Sequence, residues 1–196
     1  MTDAELIRRF RDGESHAFNG LAGRWHRRLY NFILRQVGDR EEAHDLCQKV
    51  LIKAHRNLCR LRDPGKFSTW IYQIAVNTCR DELRRRRRHP TISLESLEHG
   101  NESRTDGTKR VPARIDTGIH QCELRDLLNR ALQSIPHEQR IVVVMKEYEQ
   151  LKFTEIAAIL NLSVNTVKSR LYNGLNKLKK LLDQWNVNRE TIDYEM

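Results

Sequence analysis

The chain has 196 residues, a length that fits one large domain or two small ones, each with a modest core. Its formal net charge is +9, and the whole excess lies in residues 1–88, which hold 20 basic and 11 acidic side chains. This balance favours a polyanionic partner, either nucleic acid or an acidic membrane surface. No apolar run approaches the length of a membrane span, and the first ten residues lack the apolar core of a signal peptide. We therefore expect a cytoplasmic protein without membrane insertion.

Helical periodicity runs through most of the chain. Only nine Gly and four Pro occur, and apolar residues recur every three or four positions over long stretches. The β-leaning run IVVVM at residues 141–145 lies inside a longer helical pattern that begins after Pro136, a residue favoured in the first turn of a helix. The sequence therefore predicts an all-α fold.

The first 88 residues read as about four helices. A break with the sequence RDPGK precedes the segment FSTWIYQIAVNTCRDELRRRRR, in which apolar residues keep a helical rhythm. Aromatic, basic and Asn side chains together are typical of single-stranded DNA sites, although Phe67 and Trp70 at this spacing are more often core residues. The five arginines at 84–88 repel one another, a cost that phosphate binding would reverse.

Four cysteines occur without a Cys-x-x-Cys pair, which predicts free thiols in a reducing compartment. On a continuous helix, His44, Cys47, His55 and Cys59 would share one face. The two histidines are eleven residues apart, or about 17 Å along a helix, and even Cys47 and His55 are about 12 Å apart, which is too far for one tetrahedral site. We therefore expect no metal.

Between residues 89 and 119 the periodicity disappears. This stretch contains two Pro, three Gly and no aromatic residue, so it cannot bury enough apolar surface to offset its ordering entropy. The sequence predicts a flexible linker between two helical units.

The second unit contains two helical segments and then the stretch TEIAAILNLSVNTVKSRLYNGL. Its apolar residues fall on one side of a short helix and, after a turn at residues 161–163, recur along a second helix that Ser163 would cap. Residues 163–180 carry five basic side chains and no acid. This pattern predicts a helix-turn-helix whose second helix binds DNA; the alternative is an amphipathic helix with a solvated basic face.

Two motifs carry a resemblance to a known family. The segment DLCQKVLIKAHRNL followed by FSTWIYQIAVNTCRDELRR resembles the promoter-melting domain of bacterial sigma factors, and the stretch LQSIPHEQRIVVVMKEYEQLKFTEIAAILNLSVNTVKSRLYNGLNKLK resembles their C-terminal promoter-binding domain. Their order resembles that of extracytoplasmic-function (group IV), sigma-E-like sigma factors. The resemblance implies sigma domain 2 at 1–88, a flexible linker at 89–119, a helix-turn-helix sigma domain 4 at 120–185 and a tail at 186–196.

The resemblance also implies the function and its residues. A sigma factor binds core RNA polymerase and promoter DNA and melts the DNA without being an enzyme or needing a cofactor. The implied contacts with the clamp helices of the largest polymerase subunit are Asp45, Leu46, Gln48 and Val50. The implied minus-ten contacts are Arg62, Lys66, Phe67, Ser68, Asn77, Arg80, Asp81 and Arg84. The implied minus-thirty-five contacts are Asn165, Thr166, Lys168, Ser169, Arg170, Tyr172 and Asn173. The polymerase flap and an anti-sigma factor are further implied partners.

The sequence departs from the family pattern at four positions. Lys49 stands where the family usually has an acid, and His44 lies in a stretch that is often acidic too. Asn173 and Gly174 stand where Arg-Ala is common, which removes a phosphate or guanine contact and places in a helix a residue that costs about 1 kcal/mol relative to Ala.

Two other classes of function compete with a sigma factor. The first is a helix-turn-helix regulator that acts without entering the polymerase; it would need a dimer interface and a palindromic site, and the sequence has no heptad seam. The second is an enzyme, for which the sequence offers no Gly-rich phosphate loop and no nucleophile motif.

Overall fold

The computed structural model describes residues 1–88 and 117–185, with side chains from residue 124 onward in the second stretch. These stretches form helices and no strand, which confirms the predicted all-α fold. The helices are α1 (Asp3–Arg11), α2 (Ala17–Val37), α3 (Arg40–Asn57), α4 (Phe67–Arg88), α5 (Thr117–Ser134), α6 (His137–Val143), α7 (Phe153–Leu160) and α8 (Val164–Gln184). None of them is long and apolar enough to cross a membrane.

Helices α1 to α4 form the first unit around an aromatic centre. The ring of Trp25 meets Phe67 and Tyr72 edge-on, with centroids 5.5 and 5.9 Å apart, and Tyr72 meets Phe32 in the same way at 5.3 Å. Such edge-to-face pairs add stability beyond the apolar area that they bury. They hold α2 and α4 together and so position the face of α4 that was predicted to contact DNA.

The helix boundaries of the first unit follow local chemistry. Asp39 caps α3, since its carboxylate accepts a hydrogen bond from the Glu42 amide at 2.8 Å. The break before α4 is a short 3₁₀ turn, Pro64–Lys66, in which the Asp63 side chain accepts a hydrogen bond from the Gly65 amide at 2.9 Å. The predicted break is therefore confirmed, and it sets the start of α4 at Phe67.

The second unit contains the predicted helix-turn-helix. Helix α7 ends at Leu160 and is followed by its C-capping residue Asn161, whose φ of 52° is left-handed. Ser163 caps α8 by accepting a hydrogen bond from the Thr166 amide at 3.1 Å. The β-leaning run is also helical: it completes α6 and continues into a wider π-helical turn, Val144–Tyr148. The turn and its capping residue are confirmed as predicted.

The predicted linker and tail fall almost wholly outside the described part of the chain. Helix α5 begins at Thr117, so the last three residues of the predicted linker are helical. Residues 89–116 and 186–196 lie outside the described residues.

The two units pack against each other, an arrangement that the sequence did not predict. Their buried apolar residues form one continuous cluster. Hydrogen bonds also join them: the Gln133 amide donates to the carbonyl of Arg35 at 3.0 Å, and the Gln73 amide donates to the carbonyl of Ala158 at 3.1 Å. Helices α2 and α4 therefore hold the helix-turn-helix unit in place.

Candidate promoter and polymerase interfaces

Helix α8 separates a buried side from an exposed polar side. Val167, Leu171 and Gly174 are buried against the unit. The predicted minus-thirty-five residues occupy the other side: Asn165, Lys168, Ser169, Tyr172 and Asn173 are exposed, and Thr166 and Arg170 are half-buried. The structure therefore brings the predicted set together at the start of one helix, where backbone amides and side-chain donors are available to phosphates and base edges.

Gly174 lies at a close contact between α8 and α6. A Cβ at this position would come 2.8 Å from Cγ2 of Val143 and 3.3 Å from Cβ of Gln139, so an alanine would force its neighbours to shift. The sequence marks Gly174 only as a weak helix former. The structure corrects that interpretation, because the glycine permits the close packing that positions the outward face of α8.

Helix α4 presents the predicted minus-ten residues unevenly. Asn77, Asp81 and Arg84 are exposed, Ser68 and Arg80 are half-buried, and Arg62 and Lys66 are exposed in the break before the helix. Phe67 is only 2% exposed and packs on Trp25. Its burial corrects the expectation of a direct DNA contact: Phe67 is a core residue that holds the start of α4.

The arginine run at the end of α4 is exposed along its length. Arg85 pairs with Glu82 on its own helix, and Arg86 pairs with Glu42 on α3. Arg84 forms no ion pair within the described residues. In the described part of the chain, Arg85 and Arg86 are therefore paired with carboxylates whereas Arg84 is not, so the arginines at the end of α4 are not equivalent.

The predicted polymerase-contact residues on α3 also divide by burial. Asp45 and Gln48 are exposed, as is Lys49, whereas Leu46 is 1% and Val50 0% exposed. The two apolar side chains belong to the core, which corrects the expectation that they contact the polymerase directly. Beside Asp45 lies an open depression between α2 and α3, lined by His26, Tyr30, Arg40, Glu41 and His44.

The four residues weighed as metal ligands do not converge. Cys47 is buried, and burial raises the pKa of its thiol to about 11, while His44 and Cys59 are exposed. Among the described side chains, no three His, Cys, Asp or Glu residues are arranged to hold a metal ion.

A buried arginine joins the two units. Arg140 on α6 is 7% exposed and donates from Nη1 to the carbonyl of Gln36, at the end of α2, at 2.5 Å. From Nη2 it donates to the carbonyls of Gln133 and Ile135 at 2.9 and 3.2 Å. Burial lowers the pKa of Arg140 to about 10. The guanidinium thus satisfies carbonyls at the negative ends of α2 and α5.

A buried carboxylate makes a second connection. Glu149, whose side chain is 6% exposed, accepts a hydrogen bond from the Tyr72 hydroxyl and lies 3.5 Å from Nη2 of Arg28. Burial, and then the neighbouring carboxylate, raise the pKa of Tyr72, so its hydroxyl stays protonated and donates. Sequence reasoning missed this contact because its three residues are far apart in sequence: Arg28 lies on α2, Tyr72 on α4, and Glu149 directly after the π-helical turn.

A third connection involves two of the predicted DNA-binding residues. Oε2 of Glu138, in the first turn of α6, lies 2.5 Å from Nη1 of Arg170 and 3.4 Å from Nη2 of Arg80. One carboxylate therefore pairs with a guanidinium on α4 and another on α8. We call these three residues the Glu138 cluster.

Comparison with known proteins identifies the family. Residues 21–89 match Sigma-70 region 2, and residues 125–178 match Sigma-70, region 4. The chain is 31% identical over 187 residues to the ECF RNA polymerase sigma-E factor of Escherichia coli. The matched region covers 93% of this chain and 97% of that protein. The chain belongs to the extracytoplasmic-function sigma factors.

Solved structures share the fold of this sigma factor. It is similar to CnrH in complex with the cytosolic domain of CnrY, with a TM-score of 0.66 and 24% identity over 93% of this chain and 97% of that one. It is also similar to the sigma factor RpoE of Bartonella quintana in complex with the anti-sigma factor NepR, with a TM-score of 0.63 and 21% identity over 86% of this chain and 98% of that one.

Family membership establishes the broad function. This sigma factor acts in transcription initiation and binds core RNA polymerase and promoter DNA. A regulator that never enters the polymerase has no use for sigma region 2, which the first unit matches. The predicted function is therefore confirmed at this level.

Proposed function

We propose that α4 binds the separated strand of the minus-ten element and that α8 reads the minus-thirty-five element. The observation that carries this proposal is the polarity of α8, which buries Val167 and Leu171 and exposes a Lys- and Asn-rich face at its capped start. The exposed donors suit base edges and phosphates in a major groove. An exposed Tyr172, at 60%, adds an aromatic surface for thymine methyl groups.

The melting step rests on the exposed side of α4. Asn77 and Arg84 lie seven residues apart, so they share one face of the helix and lead toward the arginine run. Side chains that bind an unstacked strand offset the few kcal/mol needed to unstack and flip a base, so opening requires no nucleotide hydrolysis. In this proposal the protein is not itself a catalyst.

The polymerase-binding surface lies on α3. Asp45 and Gln48 are neighbours on one helical face, three residues apart, and both are exposed. Asp45 lines the depression between α2 and α3, which leaves this surface open to a partner helix of the clamp. Leu46 and Val50 support this surface from within the core.

The cellular location and a further partner of this sigma factor follow from the same proposal. Polymerase and promoter place the action of this sigma factor in the cytoplasm. The RpoE structure contains an anti-sigma factor, which supports a partner of that kind for this chain too.

The decisive test separates melting from binding. Asn77→Ala should reduce run-off transcription from a duplex promoter and regain it on a template already unpaired across the minus-ten element, because the unpairing cost has been removed. Asn19→Ala, at an exposed site on α2, is the matched control and should behave as wild type on both templates. An equal loss of transcription on duplex and unpaired templates would show that Asn77 does not belong to the melting surface.

A further inference from the structure

Helix α1 reaches the break between α3 and α4 through its last residue. Nη2 of Arg11 donates a hydrogen bond to the carbonyl of Leu61, fifty residues further along the chain. Leu61 begins the loop of residues 61–66, in which Arg62 and Lys66 are exposed and belong to the proposed minus-ten surface. A guanidinium makes a charge-assisted hydrogen bond, which is stronger than one between neutral groups. One end of the 61–66 loop is therefore fixed by α1.

The other hydrogen bonds of this loop, among the described residues, are local. The amide of Leu61 donates to the carbonyl of Leu58 at 3.1 Å, which closes the short 3₁₀ turn after α3. The Asp63 side chain accepts from the Gly65 amide at 2.9 Å, and the Asp63 carbonyl accepts from the Lys66 amide at 3.0 Å. These bonds shape the turn without tying its backbone to another helix. The bond from α1 supplies that connection.

Helix α1 is itself held at both ends, so it can act as a fixed support. At its start, Oδ2 of Asp3 accepts a hydrogen bond from the Trp25 indole at 2.9 Å, and the same indole packs on Phe67, the first residue of α4. In its last turn, the ring of Phe10 meets that of His55 on α3 edge-on, with centroids 5.2 Å apart. The start of α1 is thus tied to the start of α4, and its end to the loop before α4.

The order of the loop matters for its two exposed cations. Arg62 and Lys66 stand at different points of the loop, and both must reach the same strand. Ordering a backbone segment at the moment of binding costs conformational entropy, which lowers affinity. A backbone that is fixed in advance presents both side chains in one arrangement and avoids most of that cost.

We propose that Arg11 is a positioning residue for minus-ten recognition. Acting through Arg11, α1 fixes the backbone of the 61–66 loop before DNA arrives, so that Arg62 and Lys66 meet the unpaired strand with little further ordering. The proposal rests on the proposed function, which assigns both loop cations to the minus-ten element. Arg11 itself stays on the Leu61 carbonyl and makes no contact with DNA.

Hydrogen exchange in the free full-length chain tests the contact itself. Arg11→Ala should speed exchange of the Gly65 and Lys66 amides roughly tenfold, because both amides donate within the loop, while amides inside α2 should exchange as in wild type. Arg8→Ala is the matched control and should leave loop exchange unchanged. Arg8 lies one turn earlier on α1, is exposed and donates to the carbonyl of Ala4 in the same helix at 3.4 Å. Unchanged loop exchange in Arg11→Ala would overturn the proposal.

Binding of holoenzyme to a single-stranded oligonucleotide tests the consequence. The probe carries the minus-ten element of a promoter located by transcript-start mapping. Arg11→Ala should weaken binding roughly fivefold, and Arg8→Ala should bind as wild type does. In a chain that already carries Arg62→Ala and Lys66→Ala, adding Arg11→Ala should change the affinity by less than about twofold, because Arg11 acts through those two side chains. An equal loss in both backgrounds would show that Arg11 contacts DNA directly, which overturns the positioning role.

The same variants separate this proposal from the proposed function. If the chain with Arg62→Ala and Lys66→Ala binds the oligonucleotide as wild type does, the loop is not part of the minus-ten surface and both proposals fail there. If that chain binds weakly while Arg11→Ala binds as wild type does, minus-ten recognition by the loop stands and the positioning role alone is wrong.

Discussion

Gly174 of α8 lies so close to Val143 of α6 that a Cβ on the glycine would stand 2.8 Å from Cγ2 of the valine. Val143 is β-branched and buried, so its rotamer has little freedom to change. The packing of the recognition helix on its unit therefore depends on the absence of one methyl group.

Gly174→Ala should destabilise the protein although alanine is the better helix former. Overpacking a tight core costs about 1–3 kcal/mol, which exceeds the gain of up to about 1 kcal/mol in helix propensity. Denaturant titration of the purified chain measures the difference. Gly23→Ala in α2 is the control, since a Cβ there meets no atom within 4 Å and the change should be neutral or stabilising.

A companion variant tests the cause. Adding Val143→Ala to Gly174→Ala removes the clashing methyl group, so the double variant should lose less stability than the sum of the single changes. Strict additivity would show that Val143 is not the obstacle.

The helix-turn-helix was predictable because its signals are local. Ser163 precedes an apolar rhythm and caps α8, and Asn161 tolerates the left-handed conformation that the turn requires. The residues on the outward face of α8 could be predicted from the same period of 3.6 residues.

Other features could not be predicted because they depend on tertiary packing. Leu46 and Val50 sit within family motifs, and only their burial in the structure assigns them to the core. For Phe67 the helical spacing already favoured the core, and its burial agrees. The contacts of Arg140 and Glu149 join helices far apart in sequence. The only sequence signal was a charged residue, Arg140, directly before the apolar run that follows it.

His137 should make stability depend on pH. Burial lowers its pKa to about 4, helped by the positive charges of Arg140, Arg80 and Arg87 and opposed by that of Glu138. Between about pH 6.5 and 4, the unfolded chain binds a proton that the native chain excludes, so the free energy of unfolding falls as pH falls and is unaffected by this group above pH 6.5. The loss approaches about 3 kcal/mol near pH 4.

Urea titrations at pH 7.5, 6 and 5 isolate this contribution. His137→Gln should lose part of the pH dependence over that interval, while His26→Gln, exposed on α2, should follow the wild type. Parallel curves for wild type and His137→Gln would contradict the assignment.

Arg140→Ala should be among the most destabilising substitutions of a charged residue. It leaves carbonyls at the ends of α2 and α5 buried without donors, a loss on the order of 3 kcal/mol. Arg56→Ala, at an exposed position on α3, should change stability by less than about 0.5 kcal/mol. Thermal unfolding compares the two, and similar melting temperatures for both variants would show that Arg140 is not needed for packing.

Lys168→Ala should weaken binding of the holoenzyme to promoter duplex without affecting its binding to core polymerase. Lys168 is exposed on the reading face of α8, and a lost phosphate contact should lower the salt slope by about one. Lys49→Ala, exposed on α3 of the other unit, should leave that slope unchanged. Fluorescence anisotropy across a salt series gives both slopes; an unchanged slope for Lys168→Ala would exclude a phosphate contact.

Permanganate reactivity of thymines in the minus-ten element tests the central claim most directly, at a promoter located by transcript-start mapping after overexpression. Core polymerase with this sigma factor should make those thymines reactive in the absence of nucleoside triphosphates, and neither component alone should do so, because opening comes from binding of the unpaired strand. Protection of the upstream element without reactive thymines would contradict the account, since the chain would then recruit polymerase without opening the promoter.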